Sequence, residues 1–286
     1  MKKTVISALV TAVCLNAGAQ SLPFLLYNTD ARDLAVASVA QEGNAASAAL
    51  SGRTLDISAS YGMWAPETTS SNMLGFSGYG NFGKFSAGLS AKYKIGGEYD
   101  IFGSDSRFLG TFKTGGELAV GASFACRIAP SFSAGVRVNY ISSTLAENAK
   151  ASAVGADISL AYARNGFQAA LAVRNIGSKV NYGGNSYNLP ALASAGASYA
   201  IKSFAAHVEA GYVFSGSFMA GVGVEYTLID IFTFRAGFHY GDAKSVPTFA
   251  SVGLGINFHG AMVNATYLPA IGGNGSALLV GVGYSF

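Results

Sequence analysis

From residue 53 to Phe286 the chain repeats one pattern, in which large apolar residues alternate with small or polar ones and turn residues separate the runs. Successive side chains on a β-strand point to opposite faces, so each run describes a strand with two unlike faces. In SFSAGVRVNY, Phe132, Ala134, Val136, Val138 and Tyr140 share one face, and Ser133, Gly135, Arg137 and Asn139 share the other. FTFRAGFHY divides the same way, with four aromatics opposed by Thr233, Arg235, Gly237 and His239. Fourteen such runs are read, near 53–65, 70–82, 84–98, 115–128, 131–143, 150–164, 166–177, 189–201, 203–214, 216–228, 230–241, 248–258, 260–268 and 276–286.

Composition identifies the solvent for the apolar face. Charged residues make up 12% of the chain and mean hydropathy is +0.35, while a soluble domain carries about 25% charge. A β-sandwich in water would place many more Lys and Glu on its polar face. Membrane helices are excluded because no 18-residue apolar run occurs and the chain holds 37 glycines. The expected fold is therefore all-β, a transmembrane antiparallel β-barrel of about fourteen strands with aromatics toward lipid and Gly, Ala and Ser toward the lumen. Connections alternate between short turns (NFGK, APS, RNG, KS, TLID, FHG) and longer loops, the usual asymmetry between the periplasmic and outer ends of such barrels. A net charge of +3, with no basic run after Lys3, gives nucleic acid no footing as a partner.

The first residues have the form of an address. MKKTVISALVTAVCLNAGAQ has a basic start, an apolar centre and an Ala17-Gly18-Ala19 cleavage signature, so residues 1–19 are read as a signal peptide and the mature chain as exported to a bacterial outer membrane. Residues 20–52 do not alternate. Rich in Ala and Ser, they are read as one or two short helices forming a plug in the lumen or a periplasmic segment, before the barrel domain at 53–286. The closing strand LLVGVGYSF ends on Phe286 and resembles the recognition strand of proteins inserted by the barrel-assembly machinery, the expected partner besides membrane lipid.

Several segments together resemble the PorV/PorQ family of Bacteroidetes outer-membrane proteins, themselves similar to FadL-type fourteen-stranded barrels. The matching stretches are GKFSAGLSAKYKIGGEYD, SFSAGVRVNYISSTLAENAKASAVGADISLAY and NIGSKVNYGGNSYNLPALASAGASY, where an Asn175-Ile176-Gly177 turn precedes Leu189-Pro190 at the next strand. TDARDLAVASVA is similar to that family's N-terminal segment, without its Met-Gly-Gly. The resemblance implies a non-enzymatic component or accessory of type IX secretion that docks secretion proteins or cargo through its outer loops. The alternative is a FadL-like channel for uptake of small hydrophobic molecules.

Three further groups of residues could carry function. His207, Glu209, Glu225, Arg235 and His239 fall on inward faces of neighbouring strands, where charges either pair across strands or bind a ligand. Lys92, Lys94, Glu117, Arg127, Arg137, Asp157 and Arg174 form a second inward set. Tyr99, Phe102, Phe108, Phe112, Tyr182 and Tyr187 lie on long outer loops, where exposed aromatics grip protein partners or fold back as a lid. No G-x-S-x-G elbow, metal-ligand spacing or phosphate cradle is present, so neither an enzyme nor a cofactor is expected. The lumen is expected to hold few large apolar side chains, which weighs against hydrophobic transport.

Overall fold

The computed structural model describes residues 22–64, 71–102, 107–113, 115–146, 149–182, 184–242, 245–271 and 276–286. The leader read at 1–19 lies outside them. The strands in chain order are β1 (Leu55–Trp64), β2 (Ser71–Phe82), β3 (Phe85–Lys94), β4 (Glu98–Phe102), β5 (Phe108–Lys113), β6 (Glu117–Ala129), β7 (Phe132–Ala146), β8 (Ala149–Arg164) and β9 (Phe167–Gly177). They continue as β10 (Val180–Tyr182), β11 (Asn185–Tyr187), β12 (Leu192–Ile201), β13 (Phe204–Val213), β14 (Ser217–Leu228), β15 (Phe232–Tyr240), β16 (Phe249–Phe258), β17 (Ala261–Leu268) and β18 (Ala277–Ser285). All but β4, β5, β10 and β11 join into one closed antiparallel barrel of fourteen strands. Closure pairs Asp56 with Ser285 through to Trp64 with Ala277, and Thr54 N and Leu55 N donate to Phe286 O.

Each barrel strand lies within a few residues of its expected span. The largest shortfall is β3, which stops at Lys94 before the Gly96-Gly97 pair. The two hairpins β4–β5 and β10–β11 form inside segments read as loops, at the end opposite the short turns. Below, that end is the loop end and the other the turn end. The Asn165-Gly166 connection shows why the turns are so short: φ of 52° and 81° puts both residues in the left-handed region that a two-residue hairpin with natural twist requires.

Outward positions are apolar around the barrel. Phe124, Val136, Leu171, Val208, Phe234 and Val252 are each 49–55% exposed, a continuous belt that only hydrocarbon would solvate. Inward positions meet the segment 22–54, which occupies the lumen. It comprises a 3-10 turn (Pro23–Leu25) and two short helices, α1 (Ala31–Ala35) and α2 (Ala45–Leu50). Asp30 caps α1 by accepting from Arg32 N and Asp33 N, and Asn44 caps α2 by accepting from Ser47 N.

Helices of one turn do not persist in water. Here the wall supplies what they lack. Ser133 Oγ donates to Ala46 O at 2.6 Å, Ser251 Oγ to Ala35 O at 3.1 Å and Arg127 Nη2 to Ala49 O at 2.7 Å, while Ser159 Oγ accepts from Ala46 N at 3.1 Å. The inward glycines let the plug backbone lie directly on the strands. A Cβ on Gly223 would stand 2.2 Å from Val36 O, and one on Gly237 2.6 Å from Ala37 N.

Because that obstruction is backbone, G223V should strain and loosen the middle of the plug while leaving the outward face and barrel closure intact. Limited proteolysis of the folded, detergent-solubilised variant should cut within residues 22–54, where the parent resists. The expected loss of stability is about 1–3 kcal/mol.

Candidate functional site

The lumen has two layers. Around mid-height, charged wall residues meet the plug. Glu42 is bound by Lys92 Nζ at 2.6 Å and Arg174 Nη2 at 3.1 Å. Lys92 also donates to Tyr27 O, and Arg174 Nη1 to Val39 O and Ala40 O. Beside them Asp157 accepts from Arg137 Nε at 2.7 Å, Asn139 Nδ2 at 3.2 Å and Asn175 N at 2.8 Å. Burial pushes the Glu42 carboxyl up, but the Lys92 and Arg174 cations outweigh it and hold the group below its ordinary value.

Arg174 faces inward in phase with Ala170 and Ala172, and β9 bulges beside it. Gly155 pairs with Gly177 and Ala156 with Ile176, but Ile158 pairs with Val173, so Arg174 and Asn175 together oppose Asp157. Asn175 adopts φ 57°, and its Nδ2 donates to Pro190 O at 3.1 Å. Leu189 is buried above Gly155, and Gly177 packs on the Val154 carbonyl. The four residues Asn175, Gly177, Leu189 and Pro190 therefore sit together, at the point where β9 leaves the wall.

The five-residue cluster on the opposite wall is only partly assembled. Glu225 gathers Arg235 Nε at 2.8 Å, His207 Nε2 at 3.7 Å and the plug's Arg32 Nη2 at 3.8 Å, and Arg235 Nη1 donates to Asn264 Oδ1. Glu209 turns to the plug, accepting from Val39 N at 2.6 Å, Ala40 N at 2.8 Å and Ser38 Oγ at 3.0 Å. His239 stands apart near the loop end, fully buried and stacked on Phe249 with ring centroids 4.9 Å apart. Two guanidiniums already neutralise Glu225, so this geometry suits a wall-to-plug tie rather than a ligand set.

The loop-end layer corrects the expected lumen. Inward positions of the wall there carry Met73, Ile141, Leu192, Val213, Met219, Phe249, Leu268 and Leu279, each at most 6% exposed. They pack on Leu22, Phe24, Leu26 and Leu34 of the plug and on Val180, Leu189 and Val246 from the loops. The expectation of Gly, Ala and Ser holds for mid-strand but fails here, because each strand contributes only one or two large residues at its end. Alternation counted over whole strands dilutes that signal.

The loop aromatics also divide. Tyr182 is 8% exposed inside the lid cluster, and Tyr187 packs beside it with ring centroids 6.3 Å apart. This pair folds inward over the loop-end layer. Phe108 is 53% exposed. The side chains of Tyr99, Phe102 and Phe112 lie outside the described part of the structure.

Between the layers is a cavity of about 110 Å³ bounded by Leu25, Asp30, Asp33, Lys92, Arg137 and Arg174. Toward the turn end the lumen widens into a polar vestibule of about 430 Å³ lined by Arg53, Asp56, Asn44 and Ser77 among others, with Asp30, Asp33 and Arg137 common to both spaces. Burial and the neighbouring Asp30 push the Asp33 carboxyl up to about 7. Glu42, missed from sequence, had an indirect signal: Lys92, Arg137 and Arg174 are all inward, and Asp157 lies directly across the wall from Arg137 but three strands from Lys92.

No protein-family model matches the sequence, and no curated protein matches it. Solved structures do. The Ralstonia pickettii toluene transporter TbuX superposes with a TM-score of 0.69 at 13% identity, covering 92% of this chain and 99% of that one. The Pseudomonas putida toluene transporter TodX gives 0.64 at 12%, covering 91% and 98%, and a Pseudomonas aeruginosa FadL homologue 0.55 at 14%, covering 91% and 94%. The fold is that of the FadL-like outer-membrane barrels. At these identities the likeness speaks for architecture alone.

Two outcomes follow. E42Q leaves two buried cations without their anion and should destabilise plug docking by about 3 kcal/mol, read as faster hydrogen exchange over residues 27–50. Asp33 binds its proton more tightly folded than unfolded, so its contribution to stability is full below about pH 4 and declines as pH rises toward 7. D33N should accordingly raise Tm at pH 8 and leave it unchanged at pH 4.

Proposed function

We propose that this chain is an outer-membrane channel for uptake of small hydrophobic molecules, with its loop end outside the cell and its turn end in the periplasm. The observation that carries the reading is the loop-end layer, where wall, plug and lid build two apolar clusters joined through Tyr27, within reach of the outer surface. A site made of Leu, Ile, Val, Met and Phe offers hydrophobic solutes a transfer free energy of about 25 cal/mol per Å² of apolar surface removed from water. The polar vestibule beneath offers them none. The structural likeness to two toluene transporters favours the same reading.

The PorV/PorQ resemblance supports a second reading, in which the barrel serves type IX secretion through its outer loops. Exposed Phe108 on the β4–β5 hairpin is the feature that fits it. Inward-folded Tyr182 and Tyr187 fit the channel better.

Uptake by whole cells separates the two. Expression in a strain lacking hydrophobic-solute channels should raise the initial rate of radiolabelled toluene entry. M219E, which places a carboxylate among Val213, Phe249 and Leu279, should reduce that rate at least about tenfold while the barrel still assembles. Entry equal to the empty-vector control, together with loss of cargo processing in a deletion strain, would overturn the channel and support the secretion reading.

A further inference from the structure

We propose that the outer face of the β8–β9–β12–β13 wall is a binding site for one anionic phospholipid of the turn-end leaflet. Around most of the barrel, lipid-facing positions carry large side chains. On this sector the outward residues Ala169, Ala195, Ala197 and Ala210 are small, and the surface sinks into a shallow groove of about 540 Å³. Register makes it continuous: Tyr162 pairs with Ala169, Ala169 with Ala197, Leu171 with Ala195 and Ala195 with Ala210. Leu160 and Val208 stand on either side as rims, and every outward side chain lining the groove is apolar or the ring of Tyr162.

Hydrocarbon must fill such a depression, since neither water nor the barrel can. The groove's position selects which hydrocarbon. Its two rows lie two and four residues above the row of Arg164, Phe167 and Tyr199, which at about 3.3 Å per residue is roughly 7–13 Å. That depth falls within one leaflet of a hydrocarbon core about 30 Å thick. Phe132, Tyr162 and Phe167 form an aromatic shelf at the turn-end margin, with ring centroids 4.9 and 6.2 Å apart, the place where amphipathic rings meet headgroups.

The charge directly below the groove supplies the headgroup's chemistry. Arg164 ends the same outward column as Leu160 and Tyr162, and Lys202 occupies the adjoining turn. The two turns abut, because Ala200 N donates to Gly166 O at 2.9 Å. Both cations are exposed, and neither makes an ion pair among the described residues. The flanking turns carry Pro130-Ser131 on one side and Asp230 on the other, so the pair of cations is local to this sector. A phosphodiester between Arg164 and Lys202 with one acyl chain in the alanine groove satisfies both features at once, using Arg as a fork and Lys as a point charge.

Native mass spectrometry of the full-length protein, released from nanodiscs containing equal phosphatidylglycerol and phosphatidylcholine, tests this. One retained lipid is expected, with phosphatidylglycerol favoured roughly twenty- to thirtyfold, at about fivefold per basic side chain near a membrane surface. R164Q/K202Q should bring the preference close to unity while a lipid is still retained. A197W, which fills the groove, should abolish retention, with barrel assembly verified by heat-modifiable migration on a gel. Equal retention of the two lipids by the parent protein, unchanged retention in A197W, or a dimer in place of a lipid-bound monomer would overturn the proposal.

Discussion

The Glu42 carboxylate, closed between Lys92 and Arg174, is where plug and wall become a single object. Each partner comes from a different part of the chain: the plug, β3 and the bulge of β9. Isolated in a low-dielectric interior, any one of the three would cost several kcal/mol in lost hydration. Together, and joined to the carbonyls of Tyr27, Val39 and Ala40, they satisfy one another and fix the height at which the plug sits. Glu209 and Glu225 repeat the device on the far side through Val39 N, Ala40 N and Arg32. The plug is thereby tied across the lumen, and its one-turn helices are stabilised by the wall rather than by themselves.

This arrangement accounts for the glycine and serine of the inward faces. A wall of larger residues would hold the plug backbone away from the strands and leave its first N–H and last C=O groups unsatisfied. Gly135, Gly223, Gly237 and Gly253 allow close approach, and Ser133, Ser159 and Ser251 provide the hydrogen bonds. The composition that first marks the sequence as a barrel thus reflects two separate solvents. Lipid selects the aromatics outside, and a polypeptide plug selects the small residues inside.

The strands were legible because alternation is a local property, repeated along each strand and reinforced by turns such as Asn165-Gly166. The inward placement of His207, Glu225 and Arg235 was legible for the same reason. What alternation cannot supply is anything that depends on two distant segments meeting. Glu42 lies in a stretch without periodicity, so alternation places its partners Lys92 and Arg174 on the inner wall but not the carboxylate that joins them. The apolar loop-end layer was hidden differently, since Met73, Ile141, Met219 and Leu279 are single residues on separate strands and form a cluster only once the barrel closes. His239 alternates correctly yet joins the apolar layer, because its height along β15, rather than its face, decides its neighbours.

The same division of forces indicates where such a barrel would open most easily. Residues 30–49 are held by the ion pairs of Glu42 and Arg32, by the N–H groups on Glu209 and by the serine bonds. At about 1 kcal/mol per neutral hydrogen bond and more for each buried charge, moving them would cost upward of 10 kcal/mol. Among the described residues, 22–26 hydrogen-bond only within their own turn, and their hold on the wall is the burial of Leu22, Phe24 and Leu26 at 1% exposure each. Exposing those three side chains to water costs about 5–8 kcal/mol, but a hydrophobic solute taking their place against Met73 and Ile141 returns most of it. For a solute of the kind proposed, displacement of 22–26 beneath the Tyr182 lid is therefore nearly neutral in free energy, whereas expulsion of the whole plug is not. A polar solute gains nothing from the exchange. Selectivity for apolar molecules would then follow from the chemistry of the residues that must be displaced, without any dedicated recognition group.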